Sequence, residues 1–559
     1  MNPTPDNKKT FSFPQLLAGL KRYALPGVLL LAAEIAFLIC LYYILYPSRG
    51  YLHSDCTDSI LWANATVESG QLFDPDFRYA AMLPFSANLW YVPLIALFGM
   101  TMNVQLAGMV IFLILFSAAA YFLFRSLRFG LAGTFGSLAL TLLLLSGSDK
   151  LREIMWGHVI YYSLAILMVC LGLGLANRIM DQWDKQNRKG IAVFGTLLVL
   201  LFMGNALNDL SLIVISTVPV IFAVLGERFF DGEHKLFSKH NLCAGAIAGG
   251  LTVATGLGLV LLKVLQNGKV TNYANIYSMF SEPTTWFENL ARLPLDFLNL
   301  FGVTVVNQQV MFSVDSLPDL LLMAAGLLIV ILPVVGLVRY KKLRHRGTRH
   351  LLLAHVAESA VILLGYVCGY FSTGNWRIVP MIGTALLASL AVLRECFADR
   401  DKLVSRRLGA VAGLVLVLAT AVNAHTITQM PKDYGQDNHL HVLAQELENR
   451  GLTYGYATFW NSQAITLLSD NQVKCRETLV TDQGIVTDYY QSSRKWYEDQ
   501  PGVERYFVLL SSQELFTAQT SDHWHQITND GSLIESFSVA GFEIFVFNRN
   551  VIQKGEFVG

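Results

Sequence analysis

The stretch Gly50–Trp62, "GYLHSDCTDSILW", follows directly on an apolar run at about 25–46 that is long enough to cross a bilayer. It sets His53, Asp55 and Asp58 within a few residues of that run's end. If a helix begins near Ser54, Asp55 and Asp58 lie three apart on one face. The pair then reads either as a helix cap facing the positive helix end or as a site for a cation or a proton. Which of these holds depends on what the rest of the chain brings to the same end.

Composition says the chain is built for a membrane. Of its 559 residues 53% are hydrophobic and only 15% charged, and the mean hydropathy is +0.45. A soluble chain is usually about a quarter charged. The formal net charge is zero, so nothing points to nucleic acid. The polar, basic start has no cleavable leader pattern, and the first span reads as a retained signal-anchor. The seven cysteines show no CxxC or metal-finger spacing, which argues against a zinc site. Cys56 and Cys475 are the pair in polar segments that a disulfide would use.

About eleven spans are readable: 25–46, 102–124, 130–147, 159–177, 190–206, 210–226, 242–262, 319–338, 351–371, 378–395 and 408–424. The run at 88–100 is too short to cross and reads as interfacial or re-entrant. With residues 1–24 in the cytoplasm, the inner segments carry 24 of the 41 Lys and Arg and the outer loops 8. The runs "RYKKLRHRGTR" (339–349) and "RECFADRDKLVSRR" (394–407) supply most of the difference. The two long loops, about 47–101 and 263–318, fall outside, so the working face is expected there.

After about residue 425 the pattern changes. "YGYATF", "RYFVLLS" and "FEIFVFN" read as strands, and "NSQAITLLSD" and "DYYQSSRKWYED" as helices between them. The expected architecture is therefore a polytopic α-helical module over 25–424, followed by an extracytoplasmic α/β domain over 425–559.

Polar groups recur at the outer ends of spans. "SGSDKLREIMWGHVIYY" (146–162) carries Lys150, Arg152, Glu153 and His158. "GNALNDLS" (204–211) carries Asn205, Asn208 and Asp209 in a tight turn, and "FSTGNWRIVP" (371–380) carries Trp376 and Arg377. Each has an ordinary reading as interfacial anchor, turn or snorkelling cation. A guanidinium at such a mouth also suits a phosphate, which it grips through two parallel N–H bonds. "KVTNYANIYSMFSEPTTWFENLARLP" (269–294) suits an interfacial helix or an aromatic wall. Glu34, His355 and Glu358 lie deeper and read as interhelical polar contacts. No GxxxxGK[ST] loop, GxSxG elbow or HExxH helix is present, which removes an ATP-driven pump built on this chain alone, an elbow-type serine hydrolase and a metalloprotease.

The order of parts resembles the GT-C superfamily of polytopic glycosyltransferases: a basic start, a long outer loop with an early acid, many spans, a late outer Arg and an α/β tail. "HSDCTDS", "LREIMWGHVIYYS", "NWRIVP" and "GYATFWNSQAITLLSDNQV" also resemble uncharacterised bacterial membrane proteins of that type. The resemblance implies transfer from a polyprenyl-phosphate-linked sugar donor to a glycan or lipid-linked acceptor at the outer face, with inversion. It implies Asp55 as general base or metal ligand, with Asp58 second. It implies Arg377, Lys150, Arg152 and His158 at the donor phosphate. His53, Asn205, Asp209 and Trp376 are candidate substrate contacts, and a divalent cation, Mg or Mn, is admitted at Asp55. The acids here are three apart rather than adjacent as in the family's commoner signature. The rival readings are a lipid or glycan transporter and a non-enzymatic envelope assembly protein, with membrane lipid a partner in every case.

Overall fold

The computed structural model describes residues 13–555 apart from 80–88, 159–160, 209, 232–236, 267–278, 307, 370–373, 399–402, 434 and 437. Among these, ten helices are long and apolar enough to cross a membrane, from Tyr23–Leu45 to Leu403–Gln429. An eleventh is a broken span: helix Leu131–Leu144 meets Asp149–His158 at 114°. The protein is a multi-pass membrane protein. The short apolar run forms helix Tyr91–Phe98, and part of the aromatic stretch at 269–294 forms helix Trp286–Leu300.

The break in the third span has a local cause. Ser148 caps the new helix by accepting from Leu151 N–H, and the backbone then widens into a π turn over Ile154–His158. Arg152 holds the corner. Its guanidinium donates to the carbonyls of Ser146 (2.8 Å) and Gly147 (3.3 Å), pairs with Asp149 and lies over the Tyr43 ring.

The tail carries a six-stranded mixed sheet. Its strands are β2 (Tyr454–Ala457), β3 (Lys474–Thr481), β4 (Gly484–Thr487), β6 (Tyr506–Ser511), β7 (Leu533–Val539) and β8 (Phe542–Phe547), in the order β4-β3-β2-β6-β8-β7. Strands β2, β3 and β6 run parallel, and the helix Phe459–Leu468 makes the crossover from β2 to β3. Leu443, Leu447, Ile465, Phe507 and Val546 belong to a small core of the tail's own.

The segment "DYYQSSRKWYED" is not the helix its composition suggests. Ser492–Ser493 (β5) pairs antiparallel with Phe77–Arg78 (β1) of the first long loop, and a short 3-10 turn, Arg494–Tyr497, follows. Tertiary pairing has overridden local propensity. The same junction carries Arg494 and Lys495 on Asp76, at 3.0 and 2.8 Å. Asp470 caps Met102 N–H (2.7 Å) and Asn438 donates to the Gly50 carbonyl (2.7 Å). At Gly435 (φ +109°) a Cβ would come within 2.5 Å of Gly50 N, so the backbones meet there with no room for a side chain. The tail is thus knitted to the first long loop and sits on that end of the helix bundle.

All described cysteines are free. Cys56 and Cys475, the pair a disulfide could have used, form no bridge. Cys475 is buried in the tail core, where Thr466 bonds both its N–H and its carbonyl (3.0 and 2.9 Å). Of the three residues expected to pair between helices, two do, with His355 on Thr384 (3.1 Å) and Glu358 on the same hydroxyl, whereas Glu34 is exposed on the outer face of its helix.

Candidate active site

Local geometry aims four side chains at one point. Residues Ser54–Thr57 form a 3-10 turn, closed by Cys56 N–H on the His53 carbonyl (2.9 Å). In such a turn i and i+3 eclipse, so His53 and Cys56 stand together. The π turn does the equivalent for Glu153 and His158, which its i→i+5 period lines up. Gln105 clamps the two segments, donating to the carbonyls of Cys56 (2.8 Å) and Gly157 (3.4 Å).

Glu153 is the hub. Its carboxylate lies 2.9 Å from His53 Nε2, 3.0 Å from His158 Nε2 and 2.7 Å from Lys150 Nζ. The Cys56 thiol faces both imidazoles. Burial alone would raise it, but the two histidines outweigh burial and bring it down to about 6. Burial would lower His53, yet Cys56 and then Glu153 hold it up at about 11. The donor atoms of His53, Cys56, Glu153 and His158 lie within 4.8 Å of one another, close enough to converge on one metal ion. Metal binding needs the thiol as thiolate and both imidazoles neutral, so an ion held here would displace the protons that the two histidines otherwise carry. Asp55 is not in this group, so the expected oxygen-ligated Mg or Mn site centred on it does not match the residues brought together.

Asp58 starts helix Asp58–Ser69. It is buried, and burial together with the charge of Asp55 raises its carboxyl well above the usual range, while it bonds Gln491 of the tail. Asp55 is half-buried. The tail adds two more acids here. Glu477 on β3 is fully buried, and burial, then neighbouring Asp488, raise it well above its ordinary value. Asp488 is raised as well, chiefly by burial. Two carboxyls in hydrogen-bonding contact hold a proton between them.

That pair predicts a pH effect. The folded protein holds this proton more tightly than the unfolded chain does. The stabilising share is therefore complete below about pH 4.5, the ordinary Glu value, and is lost as pH rises through the raised native value. Wild-type melting temperature should fall by about 2–4 °C from pH 5 to pH 8, with a flatter profile for Glu477→Gln. Parallel profiles would show that the pair holds no extra proton.

Of the other expected site residues, Lys150 reaches Glu153 and lies 5.4 Å from the centre of the Trp376 ring, so the late turn carrying Trp376 and Arg377 borders the cluster. Arg152 does not join it, being turned to the corner described above. Asn205 is buried on Ser216 and Thr217, at 3.1 Å each. Asp209 lies outside the described residues. Asn205 and Asn208 lie on the wall of an apolar cavity of about 710 Å³ between helices Met102–Ser126, Tyr161–Asp184 and Arg188–Ala206, lined by Trp90, Phe112, Leu164 and Leu201 among others. Two of these three helices also approach the cluster, one through Gln105 and one just beyond His158.

The sequence reading named Glu153 at a span end and Cys56 as a disulfide candidate but gave neither a role in the site, and it left out Trp460, Glu477 and Gln491. Trp460 is largely exposed, and its ring lies 5.9 Å from that of His53. Cys56 and Glu153 had only a weak signal, namely charged or thiol residues at span ends, because their partners lie about 100 residues away.

No protein-family model matches the chain, and no curated protein matches its sequence. Solved structures do. ArnT from Cupriavidus metallidurans bound to undecaprenyl phosphate is 11% identical and covers 93% of this chain and 98% of its own, with a TM-score of 0.54. The chain has the fold of this ArnT. The apo form of the same ArnT agrees, at 12% identity, the same coverage and a TM-score of 0.52. Agreement over nearly the full length of both chains extends the shared fold through the tail sheet as well as the helices.

Proposed function

We propose that the protein is a glycosyltransferase that moves a sugar from a polyprenyl-phosphate donor to a glycan or lipid-linked acceptor at the outer face of the membrane. The N-terminus then lies in the cytoplasm, and the α/β domain from about residue 425 lies outside. The basic inner loops support this orientation.

One observation carries the reading. An ionisable cluster, an apolar intramembrane cavity and a docked α/β domain share one end of a bundle whose fold is that of a protein solved with undecaprenyl phosphate. The cavity suits an isoprenoid chain, and the cluster suits the phosphate and sugar at its head. In the reaction, Asp55 accepts the proton of the acceptor hydroxyl. The hydroxyl oxygen bonds to the anomeric carbon as the bond from that carbon to the phosphate oxygen breaks. The phosphate leaves with the electron pair, on the face opposite the attack, so configuration inverts. Lys150 and Arg377 steady the departing charge, the task for which fixed cations are most effective. Trp460 and Trp376 offer ring faces to sugar.

The cluster's donors are one thiolate, two imidazoles and one carboxylate, the set that suits zinc, whereas Mg and Mn take oxygen ligands. His53, Cys56, Glu153 and His158 would hold the ion, and it would supply positive charge beside the donor phosphate. Purified protein is expected to contain close to one zinc per chain and to lose it to a strong chelator. It should transfer label from a polyprenyl-phosphate sugar to an acceptor with inverted configuration. Movement of that lipid across a vesicle with no transfer would overturn the transferase reading. Metal content near zero in both wild type and Cys56→Ser would overturn the zinc assignment.

A further inference from the structure

We propose that a polar cavity at the opposite end of the bundle is a phosphate-binding site, filled by the headgroup of an anionic lipid. The cavity, about 350 Å³, lies among the ends of helices Met102–Ser126, Tyr161–Asp184, Val218–Asp231, Lys239–Gln266 and Arg346–Cys368. It is about 30 Å from the cluster, the length of helix between Gln105 and Ser126. The inference does not rest on the transferase reading. Only the leaflet does: the inner one, if the N-terminus is cytoplasmic.

Its walls carry an excess of cations. Arg128, Arg228, Arg344, Arg346 and Arg349 line it, against three acids, Asp181, Asp184 and Glu227. The acids are engaged, and they form a frame. Glu227 is buried between His350 (2.8 Å) and Arg349 (3.4 Å), and His350 is fixed on its other side by Asn177 (2.9 Å). Asp181 takes Arg128 at 2.9 Å.

Arg346, only 20% exposed, is held loosely. It stands 3.5 Å from Asp181 and 3.4 Å from Asp184, beyond the ~2.7–2.9 Å of a close guanidinium–carboxylate bond. A largely buried guanidinium at such distances has donor capacity for a further anion. The two long helices Lys239–Gln266 and Arg346–Cys368 also start at this cavity, through Asn241 and Gly347. The second has no side-chain cap at His345. Their positive ends add to the field.

The depth points to lipid. Five apolar spans end at the cavity, which puts it at headgroup level, where basic pockets between helices take anionic headgroups. Phe230, near the end of one bordering helix, and Phe237, in the turn just before the start of another, are exposed as interfacial aromatics would be. The volume accommodates a phosphate and a small headgroup but no acyl chain, which would lie along the outer helix faces.

The test is lipid retention by the detergent-purified full chain, read by native mass spectrometry with added phosphatidylglycerol or phosphatidylcholine. Phosphatidylglycerol should be retained preferentially, and Arg346→Ala should weaken it on the order of tenfold. If Arg346→Ala does not fold, Arg346→Lys keeps the charge but loses the fork, and should weaken retention about threefold or more. Displacement of the lipid by inorganic phosphate, with the same dependence on Arg346, would support the site with a soluble phosphate as its occupant. Equal retention of both lipids, or undiminished phosphatidylglycerol on the variants, would overturn the proposal. Transfer activity is read separately, so a failure here leaves the other end of the bundle untouched.

Discussion

The Asp55→Asn protein is expected to bind a polyprenyl-phosphate sugar as wild type does and to transfer it about 10²–10⁴-fold more slowly. The argument rests on the contrast with its neighbour. Asp58 is buried and bonded to Gln491, and burial with the charge of Asp55 raises its carboxyl well above the carboxylate range, which favours its protonated form over that of a free base. Asp55 is half-buried in the turn just before it, with access to an incoming hydroxyl. Asp58→Asn conserves shape and hydrogen-bonding capacity at a buried site that disfavours charge, so its rate loss should be within about tenfold. Single-turnover transfer and equilibrium donor binding, measured on both variants, separate the two roles. If Asp58→Asn proves the more damaging, the base has been misassigned, and full activity in both would remove the carboxylates from the chemistry.

The second large effect is expected at Glu153. Its carboxylate is the common partner of Lys150, His53 and His158. Glu153→Ala leaves those groups facing one another with only the Cys56 thiolate to offset their charge. Removing one partner of a buried ionic group typically costs about 3–5 kcal/mol. The variant should melt well below wild type, carry little zinc and show no transfer. Glu153→Gln keeps the shape and some of the hydrogen bonds. It should fold better than the alanine variant while still losing metal, since a neutral amide is a poor ligand. An alanine variant with wild-type melting and metal content would mean that the four side chains do not act as a unit.

These expectations show where sequence reasoning reached and where it stopped. Spans are legible because crossing a hydrocarbon layer requires about 20 consecutive apolar residues, a property written locally in the chain. The span read at 130–147, the short non-crossing run at 88–100 and the three strands at 454–457, 506–511 and 542–547 follow from equally local patterns, whereas the 114° break in that span was not legible there. The segment at 488–499 did not, because its strand depends on Phe77 and Arg78, more than 400 residues earlier.

The site divides in the same way. Polar residues at span ends are visible in the chain, and His53, Lys150 and His158 do gather around one carboxylate, with Trp376 beside Lys150. Arg152 carries the same charge two residues from Lys150, but the corner at 144–149 turns it towards Tyr43 and the Ser146 and Gly147 carbonyls. Cys56 has no ligand spacing within its own segment. It acquires partners only because a 3-10 turn and a π turn, on different elements, face each other.

By itself the sequence determined the membrane architecture, the charge asymmetry between its loops and the ends of spans where polar groups occur. The tertiary structure alone decided which of those groups meet, that a thiol and a glutamate join them, and that the tail sheet closes over the same end. Burial of apolar runs is a sum over neighbours in the chain. Convergence of donors depends on direction and distance between segments far apart in it, which exist only once the helices have packed.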